Sequence, residues 1–257
     1  PLNGRLLFTF TTGEEFGTQI EAKGSYLLSQ FLKADKALVL EPQTDVETKT
    51  INIIYGCRGI ENFLVRIKGK SSHTGYPERG INAISKAAEM LSRLEKLDFH
   101  KTVTSGQDIE TICMPIRIEG GADIFIVPDK CEIMIHCRTA PEDREIARQV
   151  KQVCLEVCNE NFTMEETYSA PGYIENPDDE LLDIIRSQAQ RHGYSTQERF
   201  AGGRIDASIF KNVGHIPSFC TGTGNRDQMH LVDEYISIED FIGVAEVLKD
   251  VVIDYLS

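Results

Sequence analysis

The sequence has 257 residues, 41% of them hydrophobic, which is enough to bury a sizeable core in one domain or two. Its 27 basic and 40 acidic residues give a net charge of −13, which argues against nucleic acid or a membrane surface as a partner. Seven cysteines without paired metal spacing favour a reducing cytoplasm over a disulfide framework.

An apolar run followed by two adjacent carboxylates stands near the start of the chain. Leu6 to Thr12 is rich in apolar, β-branched and aromatic residues, which predicts a buried strand. After Gly17, apolar residues recur with helical spacing as far as Leu32, and Ala37 to Leu40 predicts a second strand. A strand, a helix and a strand in this order predict two parallel strands joined by a right-handed crossover.

Three carboxylates follow these two predicted strands, namely Glu14, Glu15 and Glu41. Ligands of open parallel sheets bind beyond the carboxyl ends of the strands. If the strands are neighbours, about 5 Å apart, the carboxylates converge and need a cation or shared protons. The alternative is that Glu14 and Glu15 form the solvated first turn of a helix, where they complement its dipole, and on the pair alone this alternative is the commoner one.

The middle of the chain has a different organisation, with two helical stripes among strands. Apolar spacing predicts helices from Ile81 and from Ile146. The predicted strands are Glu61 to Lys68, Ile109 to Glu119, Cys131 to Arg138 and Phe162 to Tyr168. The order β-α-β-β-α-β predicts a two-layer α+β domain at 57–169, inserted into an α/β domain made of 1–56 and 170–257.

The α/β pattern returns after residue 170. Asn176 followed by Pro177 predicts a helix start. Ile216 to Cys220 predicts a short strand, and His230 stands in the connection that follows it. The last helix is predicted to begin after Ser237 as its N-cap.

Motifs spaced over nearly the whole chain resemble those of the co-catalytic zinc aminoacylase and carboxypeptidase family. That family includes acetylornithine deacetylase, succinyl-diaminopimelate desuccinylase, glutamate carboxypeptidase and tripeptide aminopeptidase. The motifs are Gly13-Glu14-Glu15, Leu40-Glu41-Pro42, Gly69 to His73 with Gly80 to Ile84, Gly120-Gly121 with Val127-Pro128-Asp129, Gly202-Gly203, and His230 to Glu234. The resemblance implies a catalytic α/β domain with an inserted lid domain, and a homodimer formed through the lid.

The resemblance also implies roles for the acidic residues and His230. Glu14 matches the general base, Glu15 and His230 match the ligands of one zinc, and Glu41 matches a ligand of the other. Two zinc ions per active site are implied, with cobalt or manganese as substitutes. Carboxylate and imidazole are ordinary zinc ligands. The resemblance thus favours a metal site over the solvated turn.

Four further residues are candidates for contact with the substrate. His73 resembles a lid histidine that stabilises the oxyanion in the partner's active site, and the alternative is a surface histidine. Arg138 resembles a lid arginine that receives a substrate carboxylate, and the alternative is a surface arginine at a strand end. Gly203 matches a family glycine, and Arg204 stands where small hydroxyl residues are usual, which suggests an acidic substrate.

The sequence also departs from the family pattern. It has neither the His-x-Asp motif nor the metal-bridging Asp that precede the Glu pair, so the chain is expected to lack the N-terminal segment, to bind metal weakly and to hydrolyse little. Phe125 replaces a lid Asn, and His136 replaces an Asp.

The expected function is that of a zinc-dependent deacylase of amino-acid metabolism, which releases an amino acid from an N-acyl amino acid. Glu41-Pro42 resembles the deacetylase and desuccinylase branch. The alternatives are a dipeptidase or carboxypeptidase acting on short peptides, and a non-catalytic dimerisation or binding module.

Overall fold

The computed structural model describes residues 2–14, 20–104 and 107–257. The chain folds into two compact units. The first unit consists of Pro1–Cys57 and Tyr173–Ser257, and the inserted unit is Arg58–Gly172.

Strands and helices alternate along both units. The strands are β1 (Ala37–Leu40), β2 (Thr44–Asp45), β3 (Thr50–Cys57), β4 (Gly59–Lys68), β5 (Lys101–Thr104), β6 (Gln107–Glu110), β7 (Ile112–Gly120), β8 (Lys130–Thr139), β9 (Phe162–Ala170), β10 (Tyr173–Ile174), β11 (Ser195–Ala201) and β12 (Ser218–Thr221). The α-helices are α1 (Gly24–Ser29), α2 (Ala83–Leu94), α3 (Ile146–Cys158), α4 (Glu180–Arg191), α5 (Ala207–Asn212) and α6 (Ile238–Tyr255). Short 3₁₀ turns lie at Ile20–Ala22, Pro77–Arg79 and Arg226–Gln228.

The sheet of the first unit is built around β3. The strands β2, β10 and β12 pair antiparallel to β3, whereas β11 pairs parallel to it. At one end of the sheet, β1 pairs parallel to β12. The sheet is therefore mixed. In each of its two parallel pairs, β1 with β12 and β3 with β11, the two strands end at the same edge of the sheet, so the segments that follow them start side by side.

Helices cover both faces of this sheet. On one face, Ile51, Ile53 and Tyr55 of β3 pack against α4 and α6. Ile54 points to the opposite face and packs in a separate cluster with Ile205 and with Ala207 of α5. Burial of each such side chain stabilises the fold by about 2 kcal/mol. A strand that is buried on both faces needs apolar residues at successive positions, and this explains why β3 is apolar along most of its length. Of the described helices, none is long and apolar enough to cross a membrane.

The strand predicted at Leu6 to Thr12 is not formed, and this prediction was wrong. Residues 2–14 carry no strand, and no described strand pairs with them. Phe8 is 78% exposed and Phe10 is 94% exposed, so the apolar side chains that predicted burial face solvent. A segment becomes a β-strand only when it forms hydrogen bonds with a neighbouring strand, and an apolar composition alone does not produce that pairing. The predicted parallel crossover from this segment to β1 is absent from the described residues, and β1 pairs with β12 instead.

The inserted unit is a four-stranded antiparallel sheet in the order β7-β8-β4-β9, covered on one face by α2 and α3. Alternate residues of β8 are buried, from Cys131 to Thr139, as expected for a sheet with one covered face. Phe63 and Val65 of β4 pack in the same core as Val150 of α3. The order β4, α2, β7, β8, α3, β9 confirms the predicted two-layer β-α-β-β-α-β domain.

Two differences from the predicted elements have a clear structural cause. The strand predicted from Ile109 to Glu119 is divided into β6 and β7, because β6 pairs with β5 as a separate two-stranded ribbon while β7 pairs with β8. The helix predicted to start at Asn176 starts at Glu180, and its N-cap is Asp179, whose Oδ1 accepts a hydrogen bond from the Leu181 N–H at 3.0 Å.

Candidate functional site

The carboxyl ends of β1 and β12 lie side by side in the first unit. Leu40 at the end of β1 is the register partner of Thr221 at the end of β12. Glu41 follows β1 directly, and its N–H donates to the Thr221 carbonyl at 3.3 Å. The connection after β12 leads to His230. This shared edge is the usual place of ligands in open α/β sheets.

A glycine allows the two connections to approach each other closely. A Cβ added at Gly222 would lie 2.6 Å from the carbonyl oxygen of Glu41 and 3.0 Å from its nitrogen. Thr44 fixes the same loop, since its Oγ1 donates to the Gly222 carbonyl at 2.7 Å and its N–H donates to the Gly224 carbonyl at 2.9 Å. The backbone of Glu41 therefore has a defined position at this edge.

His230 is exposed and has a φ of 64°, which is uncommon for a residue other than glycine. It follows the 3₁₀ turn Arg226–Gln228, and its N–H donates to Glu234 Oε2 at 3.3 Å. The motif His230 to Glu234 is thus a local turn that presents the imidazole to solvent.

Glu14 is held by two cations of the first unit. Its Oε1 accepts a hydrogen bond from Arg204 Nη2 at 2.9 Å, and its backbone carbonyl accepts from the same nitrogen at 3.3 Å. The buried Lys23 donates from Nζ to the carbonyls of Gly13 and Glu14. The Glu14 side chain is 34% exposed, so one carboxylate oxygen is committed to Arg204 while the group keeps access to solvent.

Arg204 lies between two carboxylates. Its side chain is only 7% exposed, and Nη1 lies 3.5 Å from Oδ1 of the equally buried Asp206. Asp206 also accepts a hydrogen bond from Thr11 Oγ1 at 3.3 Å. The preceding Gly203 is exposed in the bend between β11 and α5. No motif marks Lys23, and Asp206 is marked only by its spacing of two residues from Arg204.

Two buried thiols, Cys57 and Cys220, share one core cluster of the first unit. Burial raises the pKa of Cys57 to about 12, and burial together with the Glu41 carboxylate raises the pKa of Cys220 well above its usual value. A cysteine reacts as a nucleophile only as the thiolate. Both thiols are therefore protonated at neutral pH, and neither is a candidate nucleophile.

The donor types at this edge suit zinc, but the described residues do not by themselves make up a centre. Glu41 offers a carboxylate and His230 an imidazole, both ordinary zinc ligands. Within the described ranges no group of three or more His, Cys, Asp or Glu side chains is placed to hold a metal ion. Glu15, the third predicted ligand, lies outside the described residues. Because Glu15 is one of its three members, the convergence of Glu14, Glu15 and Glu41 stays a prediction.

In the inserted unit, His73 is exposed and makes a defined set of contacts. Its Nδ1 accepts a hydrogen bond from the Gly75 N–H at 2.9 Å, which leaves Nε2 as the donor of the neutral ring. Phe125 stacks on it with ring centroids 6.3 Å apart and an interplanar angle of 14°. His73 and Ile126 also form an isolated β-bridge. Phe125, noted only as a replacement for a lid Asn, thus orients His73.

Arg138 lies near the end of β8, half-buried, two residues from His136 on the face that α2 and α3 leave open. His136 Nδ1 lies 2.7 Å from Asn62 Oδ1. Burial, and then the charge of Arg138, lower the pKa of His136. His136 therefore stays neutral near pH 7 and adds no positive charge beside Arg138.

Comparison with known protein families agrees with the fold of the inserted unit. A family model described as the peptidase dimerisation domain matches residues 55–161. This range holds β4, α2, β7, β8 and α3, which make up most of that unit.

Curated relatives match nearly the whole chain. The uncharacterised protein YqjE of Bacillus subtilis is 28% identical over 258 residues, which cover 97% of this chain and 64% of that protein. A succinyl-diaminopimelate desuccinylase of Rickettsia bellii is 24% identical over 262 residues, which cover 99% of this chain and 66% of that protein. The chain thus spans slightly less than two thirds of the length of these relatives.

Solved structures share the fold. The aminopeptidase PepT of Bacillus cereus superposes with a TM-score of 0.73 at 22% identity, over 96% of this chain and 63% of that one. The YxeP protein of Bacillus subtilis, described as a dinuclear metal-binding peptidase of the M20 family, superposes with a TM-score of 0.71 at 18% identity, over 96% of this chain and 64% of that one. The predicted α/β fold with an inserted α+β domain is confirmed.

Proposed function

We propose that this chain belongs to a metal-dependent amide hydrolase of the M20 family of aminoacylases and peptidases, a proposal supported by the match to the dimerisation domain and by the curated relatives. We further propose that the substrate is an N-acyl amino acid and that the reaction releases the free amino acid. The relative named as a succinyl-diaminopimelate desuccinylase supports this substrate class.

The observation that carries the proposal is the shared carboxyl edge of β1 and β12. It brings the backbone of Glu41 against the loop that leads to His230, as the contact between Glu41 and Gly222 requires. We propose Glu41, His230 and Glu15 as zinc ligands, with cobalt or manganese as substitutes. A bound metal pair would acidify water and polarise the scissile carbonyl. The weak metal binding expected of this chain stays a prediction.

Glu14 is proposed as the general base. A general base must lie within hydrogen-bond reach of the proton that it takes, which requires an accessible oxygen in a defined position. Arg204 fixes Oε1 of Glu14, while the side chain remains partly exposed. We propose that Arg204 positions this base. The role first predicted for Arg204, recognition of an acidic substrate, would require its pairs with Glu14 and Asp206 to open.

We propose that three further residues contact the substrate, namely Gly203, His73 and Arg138. Gly203 gives the bend before Arg204 an exposed backbone that a substrate can approach. His73, oriented by Phe125, would donate from Nε2 to an oxyanion. Arg138 would bind a substrate carboxylate through its planar fork of donors. We also propose a homodimer formed through the inserted unit, supported by the match to a dimerisation domain, and a cytoplasmic location, supported by seven free cysteines.

The test is hydrolysis by the chain, supplied with zinc, cobalt or manganese, of N-succinyl and N-acetyl amino acids, dipeptides and tripeptides. We expect slow release of free amino acid from the N-acyl substrates, abolished by a chelator. Glu14→Gln should lower the rate by about 100-fold or more, the usual contribution of a general base. Glu21→Gln, at an exposed glutamate in the neighbouring 3₁₀ turn, should leave it unchanged.

Two other outcomes would redirect the proposal. Activity confined to dipeptides or tripeptides would make the protein a peptidase, an alternative that the fold of PepT supports. The absence of hydrolysis for every substrate, or equal rates for the wild-type chain and Glu14→Gln, would contradict the proposed catalysis and favour a dimerisation or binding module.

A further inference from the structure

Two cysteines of the inserted unit face each other across neighbouring strands. Cys113 of β7 is the register partner of Cys137 of β8. The Cys137 thiol donates to the sulfur of Cys113, and the two Sγ atoms are 3.0 Å apart. Both side chains belong to the face that α2 and α3 cover, where Cys137 is part of the core and Cys113 packs against it.

The backbone geometry of this pair suits a disulfide. Residues directly opposite in an antiparallel ladder have Cα atoms about 4.5 or 5.5 Å apart, depending on the type of pair. A disulfide bridges Cα separations of about 4.4 to 6.8 Å, with a bond of about 2 Å. The sulfur atoms therefore need to approach by only about 1 Å, and neither strand has to leave the sheet.

The two thiols differ in access. Cys113 is half-buried, whereas Cys137 is fully buried. The hydrogen bond with Cys113, burial, and the carboxylates of Glu61 and Asp143 all raise the pKa of Cys137 far above its usual value. Cys113 is therefore the thiol that a reagent can reach from solvent, and Cys137, whose sulfur contacts that of Cys113, is the thiol placed to resolve the first product.

We propose that Cys113 and Cys137 form a redox site that is oxidised to a disulfide by low-molecular-weight disulfides such as oxidised glutathione. The Cys113 thiolate attacks one sulfur of the reagent, whose S–S bond breaks, and the released thiol takes up the proton. Cys137 then attacks the sulfur of Cys113 in the mixed disulfide, and the second reagent thiol leaves with the second proton. The cysteines lose two electrons and the reagent disulfide gains two. This proposal does not depend on the proposed hydrolase activity.

The test is exposure of the folded chain to oxidised glutathione, followed by alkylation of the remaining thiols in denaturant and peptide mass spectrometry. We expect a cross-linked peptide pair that contains Cys113 and Cys137, a loss of two alkylated thiols, and reversal by dithiothreitol. Cys137→Ser should stop the reaction at the mixed disulfide, so that the chain carries one glutathionyl group at Cys113.

A matched control lies on the same strand. Cys131 is buried on the same face of β8, opposite Gly120 and Ile67, so Cys131→Ser should form the cross-link at the wild-type rate. The peptide map of the wild-type chain needs no variant and decides the question even if Cys137→Ser does not fold. Glutathionylation of wild-type Cys113 without cross-linking, or cross-linking only after denaturation, would overturn the proposal.

Discussion

At the scale of single residues, charged side chains with little exposure to solvent have the largest expected effects on stability. Arg204 and Asp206 are nearly buried, and Glu14 completes their ion-pair chain. Glu61 in the inserted unit is a carboxyl whose pKa burial, and then the charges of Glu166 and Asp143, raise to about 7. Both arrangements cost desolvation energy, so each gives a measurable effect on stability.

Arg204→Met tests the ion-pair chain of the first unit. The variant leaves the Asp206 carboxylate buried without its cation, which should lower the free energy of unfolding by about 3 kcal/mol. Urea denaturation measures this loss. Arg199→Met removes an arginine whose described hydrogen bonds go only to Gln197, and it should cost less than about 0.5 kcal/mol.

A second change tests whether the loss comes from Asp206. Adding Asp206→Asn to Arg204→Met removes the unpaired charge, so the double variant should recover part of the stability. Equal stability of Arg204→Met and Arg199→Met would show that the buried pair contributes nothing.

Glu61→Gln tests the raised pKa in the inserted unit. Between pH 4.5 and about 7 the folded state keeps a proton that the unfolded state has lost, so the free energy of unfolding falls as the pH rises through this window. A neutral glutamine avoids this cost. At pH 8 the variant should be more stable than the wild type by about 1 to 3 kcal/mol, since one pKa unit corresponds to about 1.4 kcal/mol.

At pH 4 the advantage of Glu61→Gln should disappear, because both states of the wild-type residue are then largely protonated. Urea denaturation at both pH values measures the difference. Glu119→Gln, at an exposed position of β7, should change stability little at either pH. An advantage of Glu61→Gln that is the same at pH 4 and pH 8 would exclude titration as its cause.

At the scale of elements, sequence patterns correctly located those strands and helices that are marked by local features, such as an apolar run or an N-cap residue. Ala37 to Leu40 was predicted with the bounds that β1 has, and Ser237 caps α6 as predicted, with Oγ accepting from the Asp240 N–H at 3.3 Å. Asn176 was predicted as the N-cap of α4, but Asp179, which is an equally good N-cap residue, caps the helix. In the structure Asn176 closes a local turn, its Oδ1 accepting from the Asp178 N–H at 3.1 Å.

Pairing partners could not be predicted in the same way. Leu6 to Thr12 has the composition of a strand, but its residues are exposed and unpaired by any described strand. Whether an apolar run becomes a strand depends on a neighbouring ladder that its own composition does not encode. The same reason explains the division into β6 and β7, since each pairs with a different strand.

Gly222→Ala tests the close approach at the carboxyl edge. The new Cβ would lie 2.6 Å from the Glu41 carbonyl oxygen, so the backbone must move. The variant should lose about 1 to 3 kcal/mol of stability, the usual cost of overpacking, measured by urea denaturation. Gly202→Ala is the control, since nothing lies within 4 Å of its added Cβ. Equal stability of the two variants would mean that the two connections do not constrain each other.

At the scale of the whole molecule, the motifs predicted the family and its fold, whereas they could not predict how the site is assembled. Glu41 and the loop leading to His230 meet because β1 and β12 are parallel neighbours. Glu14 is placed by Arg204, which the motifs marked only for substrate contact, and by Lys23, which no motif marked. Side-chain pairs between residues distant in sequence arise from the tertiary fold, so a linear motif names the residues of a site without giving their contacts.

The central claim is that the carboxyl edge of β1 and β12 binds the metal, and calorimetric titration with zinc tests it most directly. The wild-type chain should bind zinc, and Glu41→Gln and His230→Ala should each weaken binding by at least about tenfold, a loss that even outer-shell partners of a metal cause. His100→Ala, at an exposed histidine of the inserted unit, should bind as the wild type does. Zinc binding equal in all four proteins would contradict the claim.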